Sequence, residues 1–277
     1  MSDGRLGCEV IVTRTGVQAM LDLETGEVMH PIGPTLEAEL MYVAPSRLAE
    51  RLALANPDPL VLFDIGLGAA SNAIAAWRVS DQLSADARRL QIVSFDHSLQ
   101  PLELALQPEH AAVFALEGRA GEAARALLTG DGVYRSPRTD WSMHLSDLLV
   151  ALAAQPDAVA DIVFWDVYSA RGCPALWTVQ TFRSLRRVCR HGATVHTYSG
   201  AIAARAAMLL AGFAVGLGPS SGAKQKHSTI AATHVDVLER PLDRAWLERL
   251  LKADAMLPGD APSDALEQLA AMPQFAR

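Results

Sequence analysis

The sequence predicts an α/β protein built on a mostly parallel sheet, and three observations carry that reading. Strand-length apolar runs alternate with helix-length amphipathic segments through the middle of the chain. The first of these runs closes in a glycine turn, and an aspartate follows each of four of them. With 277 residues, 50% apolar and 20% charged, the chain can bury a sizeable core, which excludes wholesale disorder.

Residues 8–43 read as a small β-meander. Cys8–Arg14 and Val17–Leu23 are strand-like and meet at Thr15-Gly16, and Glu24-Thr25-Gly26 makes a second turn. From Thr35 the period becomes helical, with Leu36, Leu40 and Val43 on one stripe; a further helical segment, Ser46–Ala55, stops at Asn56-Pro57-Asp58-Pro59. Strands follow at Leu60–Phe63, Gln91–Phe95, Ile162–Trp165 and Ala193–Tyr198. Between them lie the helical segments Ala69–Arg78, Gln100–Ala105, Pro174–Arg190 and Ala201–Ala211. A shorter strand, Ser142–Leu145, is placed between the second and fourth of these strands. Such alternation gives a parallel sheet covered on both faces. Phe213–Leu217 and Ser228–Thr233 are joined by a Gly/Ser/Lys loop with no room for a crossover helix, so the last strand is antiparallel. The helices Asp243–Ala253 and from Ser263 onward form a C-terminal cap. The expected organisation is a meander extension over 1–45, the main domain over 46–238 and the cap over 239–277.

Several classes are excluded. The longest apolar stretch, Ala206–Leu217, is too short for a bilayer, which needs about 20 residues. The first residues lack the basic-then-apolar pattern of a secretory signal. The three cysteines (Cys8, Cys173, Cys189) make neither a disulfide framework nor a zinc pattern, and the eight histidines show no metal-ligand spacing. No metal is therefore expected, and the expected compartment is the cytoplasm. A net charge of −7 argues against a nonspecific nucleic-acid coat but leaves room for a local basic patch.

In an open parallel sheet, ligands bind at the carboxyl ends of the strands. There the sequence places Asp64-Ile65-Gly66-Leu67-Gly68, then Asp96, Asp147 and Asp166. Each aspartate could N-cap a following helix or face a ligand. The spacing departs from a dinucleotide fingerprint, because Ser71 stands at the third glycine and Asp96 lies 28 residues past Gly68. No Gly-Lys-Ser/Thr follows, so a phosphate-binding P-loop is excluded. An acid before Gly-x-Gly with two more acids on later strands resembles class I S-adenosylmethionine-dependent methyltransferases. The ribose hydroxyls, adenine amine and α-ammonium of that cofactor all seek acceptors. The resemblance implies a Rossmann-like sheet. Asp64 and the Gly66–Gly68 turn would face the methionine part, Asp96 the ribose diol and Asp147 the adenine amine.

A narrower resemblance is to the MnmC-like methyltransferases of the stand-alone, MnmD-type form, which methylate the 5-aminomethyl group of the tRNA wobble uridine. Gly66-Leu67-Gly68-Ala69-Ala70-Ser71-Asn72 is similar to that family's Gly-Phe-Gly-Thr-Gly-Leu-Asn turn, with Asn72 in the matching place. Ile92–Asp96 looks like its second strand. Asp166-Val167-Tyr168-Ser169-Ala170-Arg171-Gly172-Cys173-Pro174-Ala175-Leu176-Trp177 resembles its Asp-x-Phe-Ser/Ala-Pro-x-x-Asn-Pro-x-Leu/Met-Trp signature. Thr197–Phe213 is similar to the strand and helix that follow, and Gly33-Pro34-x-x-Glu37 echoes its amino-terminal segment. Cys173, Ala170 and Val167 stand where the family has Asn, Pro and Gly, and Lys224-Gln225-Lys226 keeps a Lys-Arg-Glu motif only loosely. The cofactor half is thus better kept than the acceptor half.

The resemblance implies S-adenosylmethionine as cofactor, tRNA as acceptor, Asp166 as the residue that takes the acceptor's proton, and Glu37, Tyr168, Trp177, Lys224 and Lys226 as acceptor-side residues. A small-molecule or protein acceptor, or cofactor binding without catalysis, are the alternatives. Bland readings stand beside these. Trp177 suits a core helix as well as a pocket wall, and Glu37 an exposed helix face. Arg183, Arg186, Arg187 and Arg190 form one helical stripe, solvated or facing RNA. Lys224, Lys226 and His227 in the final hairpin loop are the better RNA contacts.

Overall fold

The computed structural model describes residues 7–220, 227–252 and 257–276, which fall into two compact units, Met1–Leu148 and Leu149–Arg277.

The first unit opens with the expected meander: β1 (Cys8–Val12), β2 (Gln18–Asp22) and β3 (Val28–Met29) pair antiparallel in that order. Helix α1 (Pro34–Ala38) runs into a wide turn over Glu39–Val43, closed by the Ala44 N–H on the Glu39 carbonyl at 3.0 Å. The expected apolar stripe is corrected here. Leu36 and Leu40 are 53% and 41% exposed, while Glu37, Ala38, Met41 and Tyr42 are buried with Val43. A five-residue turn breaks the 3.6-residue period on which the stripe was counted. Helix α2 (Leu48–Ala53) leads to β4 (Leu60–Ile65), every residue of which is buried, as an apolar run inside a parallel sheet requires. Next come α3 (Ser71–Gln82), β5 (Leu90–Asp96), α4 (Gln100–Ala105), α5 (Gly118–Ala126), β6 (Val133–Arg135) and β7 (Thr139–Leu145). β5 pairs parallel with β4 on one side and with β7 on the other. The expected strand Ser142–Leu145 is present as the end of β7, which sits beside β5, with the short β6 folded antiparallel onto its outer edge.

The second unit carries α6 (Leu148–Ala154) at its start, then β8 (Ala160–Trp165), α7 (Val179–Val188), β9 (Cys189–Thr197), α8 (Ile202–Leu210), β10 (Ala214–Ser220) and β11 (His227–Ala232). β8 and β9 are parallel; β11 lies between β9 and β10 and is antiparallel to both, as the short hairpin loop requires. The single helix expected over Pro174–Arg190 is instead a 3-10 turn at Pro174–Trp177 followed by α7. Thr178 divides them as the N-cap of α7, its Oγ1 accepting the Thr181 N–H at 3.1 Å.

Of the arginine stripe along α7 and into β9, Arg183 is exposed as the solvated reading expects, while the other three are tied down. Arg186 donates to the Gly212 and Thr233 carbonyls and lies over the Phe213 ring, Arg187 holds the Leu152, Ala153 and Gln155 carbonyls, and Arg190 holds the Ala158 carbonyl and Asp161. These side chains lie along their own unit and satisfy loose backbone ends there. The tail adds α9 (Arg244–Lys252) and α10 (Ala265–Ala270). Beyond them Gln274 clamps the outermost strand: its Nε2 donates to the Val215 and Leu242 carbonyls at 2.7 and 2.9 Å, and its Oε1 accepts the Val215 N–H at 2.9 Å.

Candidate active site

Asp64 is the fifth residue of β4, one place before the strand end, and only 1% exposed. A carboxylate so deep must be held by donors. Register sets it opposite Ser94 on β5, whose Oγ donates to Asp64 Oδ2 at 2.8 Å. Trp141 Nε1, on β7, donates in turn to Ser94 Oγ at 2.9 Å. Three neighbouring strands thus fix one carboxylate.

Past Ile65 the backbone turns through Gly66 at φ 87° and Gly68 at φ 52°. A Cβ at Gly68 would meet only Met29 Sδ, at an ordinary 3.4 Å, so the positive φ is what asks for glycine there. Ala70 adopts φ 64°, at a position where the similar family turn has glycine; left-handed backbone costs an alanine about 1 kcal/mol. Helix α3 then starts without a side-chain cap, leaving its first N–H groups to other acceptors, with Asn72 buried in its first turn.

Asp96 ends β5. Its Oδ2 accepts the Gly68 N–H at 3.0 Å, and its Oδ1 accepts the His97 and Ser98 N–H groups at 2.7 and 3.2 Å. The capping reading therefore fails for Asp96, since the N-cap of α4 is Leu99, and for Asp64, which lies inside a strand. Asp147 is exposed, two residues past β7, where the Ser146 N–H reaches the Asp96 carbonyl at 3.0 Å. The first unit thus brings Asp64, Asp96 and Asp147 to one edge of its parallel strands.

His97 adds a titratable neighbour, its Nδ1 3.1 Å from Asp96 Oδ1. Its pKa is raised above the usual 6.5, first by the hydrogen bond to Asp96 and then by the charges of Asp96, Asp22 and Glu24, against an opposing effect of burial. Protonated His97 therefore favours the folded state below pH 6.5, and that contribution fades as the pH rises through the folded value. An NMR titration is expected to place the His97 midpoint above 6.5 and to return it to the ordinary range in Asp96→Asn; an unchanged midpoint in that variant would refute the coupling.

Glu37, whose bland reading was an exposed acid, is instead buried at 7% exposure. Its Oε1 lies 3.9 Å from Nδ1 of His30, itself 8% exposed and at φ 54°.

In the second unit Asp166 follows β8 directly and is half-buried; no helix begins until Pro174, so it caps none. The segment after it is tied down at several points. The Tyr198 hydroxyl donates to the Val167 carbonyl at 3.1 Å, Trp177 Nε1 to the Tyr168 carbonyl at 2.8 Å, and the Cys173 N–H to the Ser169 carbonyl at 2.8 Å. Trp177 is 5% exposed and packs edge-on against Trp165, Phe182 and Tyr198. That matches the core reading; Tyr168, half-buried, is the residue it positions.

Where this segment enters α7, Asp260 reaches in from the tail. Its two oxygens accept the Val179 and Gln180 N–H groups at 2.9 Å each, charge-assisted bonds at a helix N-terminus. Asp260→Asn keeps the shape but turns one acceptor into a donor. It is expected to lower stability by about 1–2 kcal/mol, read by thermal unfolding; an unchanged melting temperature would mean the clamp contributes nothing.

Lys224 and Lys226 lie outside the described residues. Cys173 is half-buried, and burial pushes the Cys189 thiol up to about 12 and also raises that of Cys8, so neither of these two supplies a thiolate. Among the described residues no three metal-ligating side chains cluster, and no helix is long and apolar enough to cross a membrane. Sequence reasoning missed Ser94, Trp141, His30 and Asp260. Only Ser94, a polar residue inside an apolar run, left a signal.

Comparison with known proteins adds independent findings. Residues 132–234 match a family model described as S-adenosyl-L-methionine-dependent methyltransferase. The tRNA 5-methylaminomethyl-2-thiouridine biosynthesis bifunctional protein MnmC of Pseudomonas fluorescens is 30% identical over 199 residues, 68% of this chain and 29% of that protein. Its namesake from Ralstonia nicotianae is 31% identical over 223 residues, 76% of this chain and 32% of that protein. Among solved structures, MnmC2 from Aquifex aeolicus matches with a TM-score of 0.71 at 20% identity, over 96% of this chain and 85% of that one, which shows a shared fold. The chain spans about a third of the length of the curated relatives it matches.

Proposed function

We propose that this chain is an S-adenosylmethionine-dependent methyltransferase related to the MnmC proteins, and that it methylates a primary amine on RNA, the 5-aminomethyl group of the tRNA wobble uridine, in the cytoplasm. The observation that carries the reading is the set of carboxylates at the strand ends, with Asp64 held by Ser94 and Asp96 by the glycine turn.

This donor set suits the cofactor. Carboxylates attract an ammonium, hydroxyls and an amine, and they would repel a pyrophosphate. Asp64 and the Gly66–Gly68 turn would hold the methionine part, Asn72 would support that turn, Asp96 would take the ribose hydroxyls and Asp147 the adenine amine. The bound cofactor supplies an electrophilic methyl group on a sulfonium.

The residues of the chain do the remaining work. An amine is mostly protonated at neutral pH and must lose a proton before its lone pair can attack. Asp166 accepts that proton and orients the nitrogen, since the displacement demands alignment. Tyr168 lines the acceptor side, Trp177 fixes Tyr168 through its carbonyl, Glu37 closes over the cofactor from α1, and Lys224 and Lys226 meet the RNA backbone.

A small-molecule or protein acceptor is the second reading. It is favoured by the net charge of −7 and by Val167, Ala170 and Cys173 in the acceptor segment. Incubation with methyl-labelled cofactor and bulk tRNA lacking the modification separates the two. Label in a methylaminomethyl nucleoside is the expected result, and none under conditions where a free amine is methylated would overturn the RNA assignment.

A further inference from the structure

The second unit buries a cation that meets no anion among the described residues. Arg205 on α8 is 7% exposed, and among the described residues no carboxylate lies within salt-bridge distance of it. Burial lowers its pKa from 12.5, the mark of a charge taken out of water without compensation.

Its protein partners are all neutral. Nε donates to Thr229 Oγ1 at 3.0 Å, and Nη2 donates to the His227 and Ser228 carbonyls at 2.7 and 3.1 Å. Nη1 has no acceptor among the described residues. Gly200 allows this crowding, because a Cβ there would meet the His227 carbonyl at 2.4 Å and lie 3.6 Å from Arg205 Nη2.

The same strand start gathers a second cation. His227 Nδ1 faces the Gly218 carbonyl at 3.0 Å and so carries its proton there, which turns Nε2 toward Arg240 Nη2 at 3.5 Å. Arg240 is exposed and likewise has no carboxylate partner among the described residues, while its backbone carbonyl is anchored by the Leu217 N–H at 2.8 Å. In a protein of net charge −7, two guanidinium groups around one histidine thus have no carboxylate partner among the described residues. Keeping a buried cation without an anion costs stability, which makes sense when an anion arrives from outside.

We propose that Arg205 and Arg240, with His227 between them positioning Arg240, form a phosphate-binding pair that takes the backbone of the RNA acceptor at the foot of β11. Arg205, its Nε and Nη2 already fixed by protein acceptors, offers Nη1, and Arg240 is the exposed partner, so a phosphate oxygen meets a donor whose position is already set. The proposal rests on the RNA reading above and adds to it the surface by which RNA is held.

The test is equilibrium binding of the full chain to an unmodified tRNA transcript at several salt concentrations. Arg240→Ala, an exposed change that does not threaten folding, is expected to weaken binding about tenfold, the effect of one charge-assisted hydrogen bond. It should also make the log–log salt slope shallower by about one. Arg205→Lys keeps the charge but loses the fork, and should weaken binding while calorimetry shows S-adenosylmethionine affinity intact. The loss should appear as a raised KM for tRNA.

Unchanged affinity and salt slope in both variants, with the wild type still methylating tRNA, would overturn the phosphate-binding pair and leave the RNA reading standing. If the wild type neither binds nor methylates the transcript while methylating another amine, both fall.

Discussion

Asp166→Asn is expected to leave cofactor affinity within about twofold of the wild type while cutting turnover by roughly 10²–10⁴-fold, the usual contribution of a positioned general base. The amide copies the shape of the carboxylate and still accepts a hydrogen bond, but it cannot take a proton at neutral pH. Asp166 is half-buried directly after β8, and the chain beyond it is tied by Tyr198 and Trp177, so the substitution should not loosen the segment. Raising the pH should recover part of the lost rate, because bulk solvent then deprotonates the amine. Single-turnover kinetics paired with calorimetry decide the matter. Full turnover in the variant would take Asp166 out of the mechanism.

The second large effect is expected at Asp64. Asp64→Asn should weaken S-adenosylmethionine binding about a hundredfold, since a hydrogen bond between charged groups is lost and an amide donor faces a cationic ligand. Ser94→Ala is the informative companion. It leaves the carboxylate in place but removes the hydroxyl between Asp64 Oδ2 and Trp141 Nε1, stranding two buried polar atoms at a cost of about 1–3 kcal/mol. Calorimetry should therefore show the first variant failing mainly in affinity, and thermal unfolding should show the second failing mainly in stability. Wild-type affinity in Asp64→Asn would mean the cofactor is held elsewhere.

What could be read from the sequence follows the range of the forces involved. β4, β5 and β8 announce themselves as apolar runs because a strand covered on both faces is mostly apolar, with few polar residues to interrupt it. The Gly66–Gly68 turn was legible for a local reason, since its backbone needs positive φ. α5, rich in Gly and Ala, has a weak apolar period, and β6 is three residues long, so both passed unseen. The stripe of Leu36 and Leu40 misled because a wide turn shifted the register after Ala38. In the site, the acids were visible as residues but their holders were not. Ser94 lies 30 positions from Asp64, and Asp260 lies 81 from Val179, and no local pattern encodes such pairings. The arginines of α7 show the same limit: their spacing was plain, and their destinations depended on where other segments end.

Gln274 has a bearing on solution behaviour. β10 is the outermost strand on its side, and an uncovered edge invites a second molecule to add its own strand. The glutamine side chain meets that edge at Val215 as a stretch of backbone would, while the Leu242 N–H takes the Val215 carbonyl at 2.8 Å from the other tail segment. The tail thus acts as a built-in guard against self-association. A chain trimmed before Pro273 should scatter more light on concentration, well before any change in its circular dichroism.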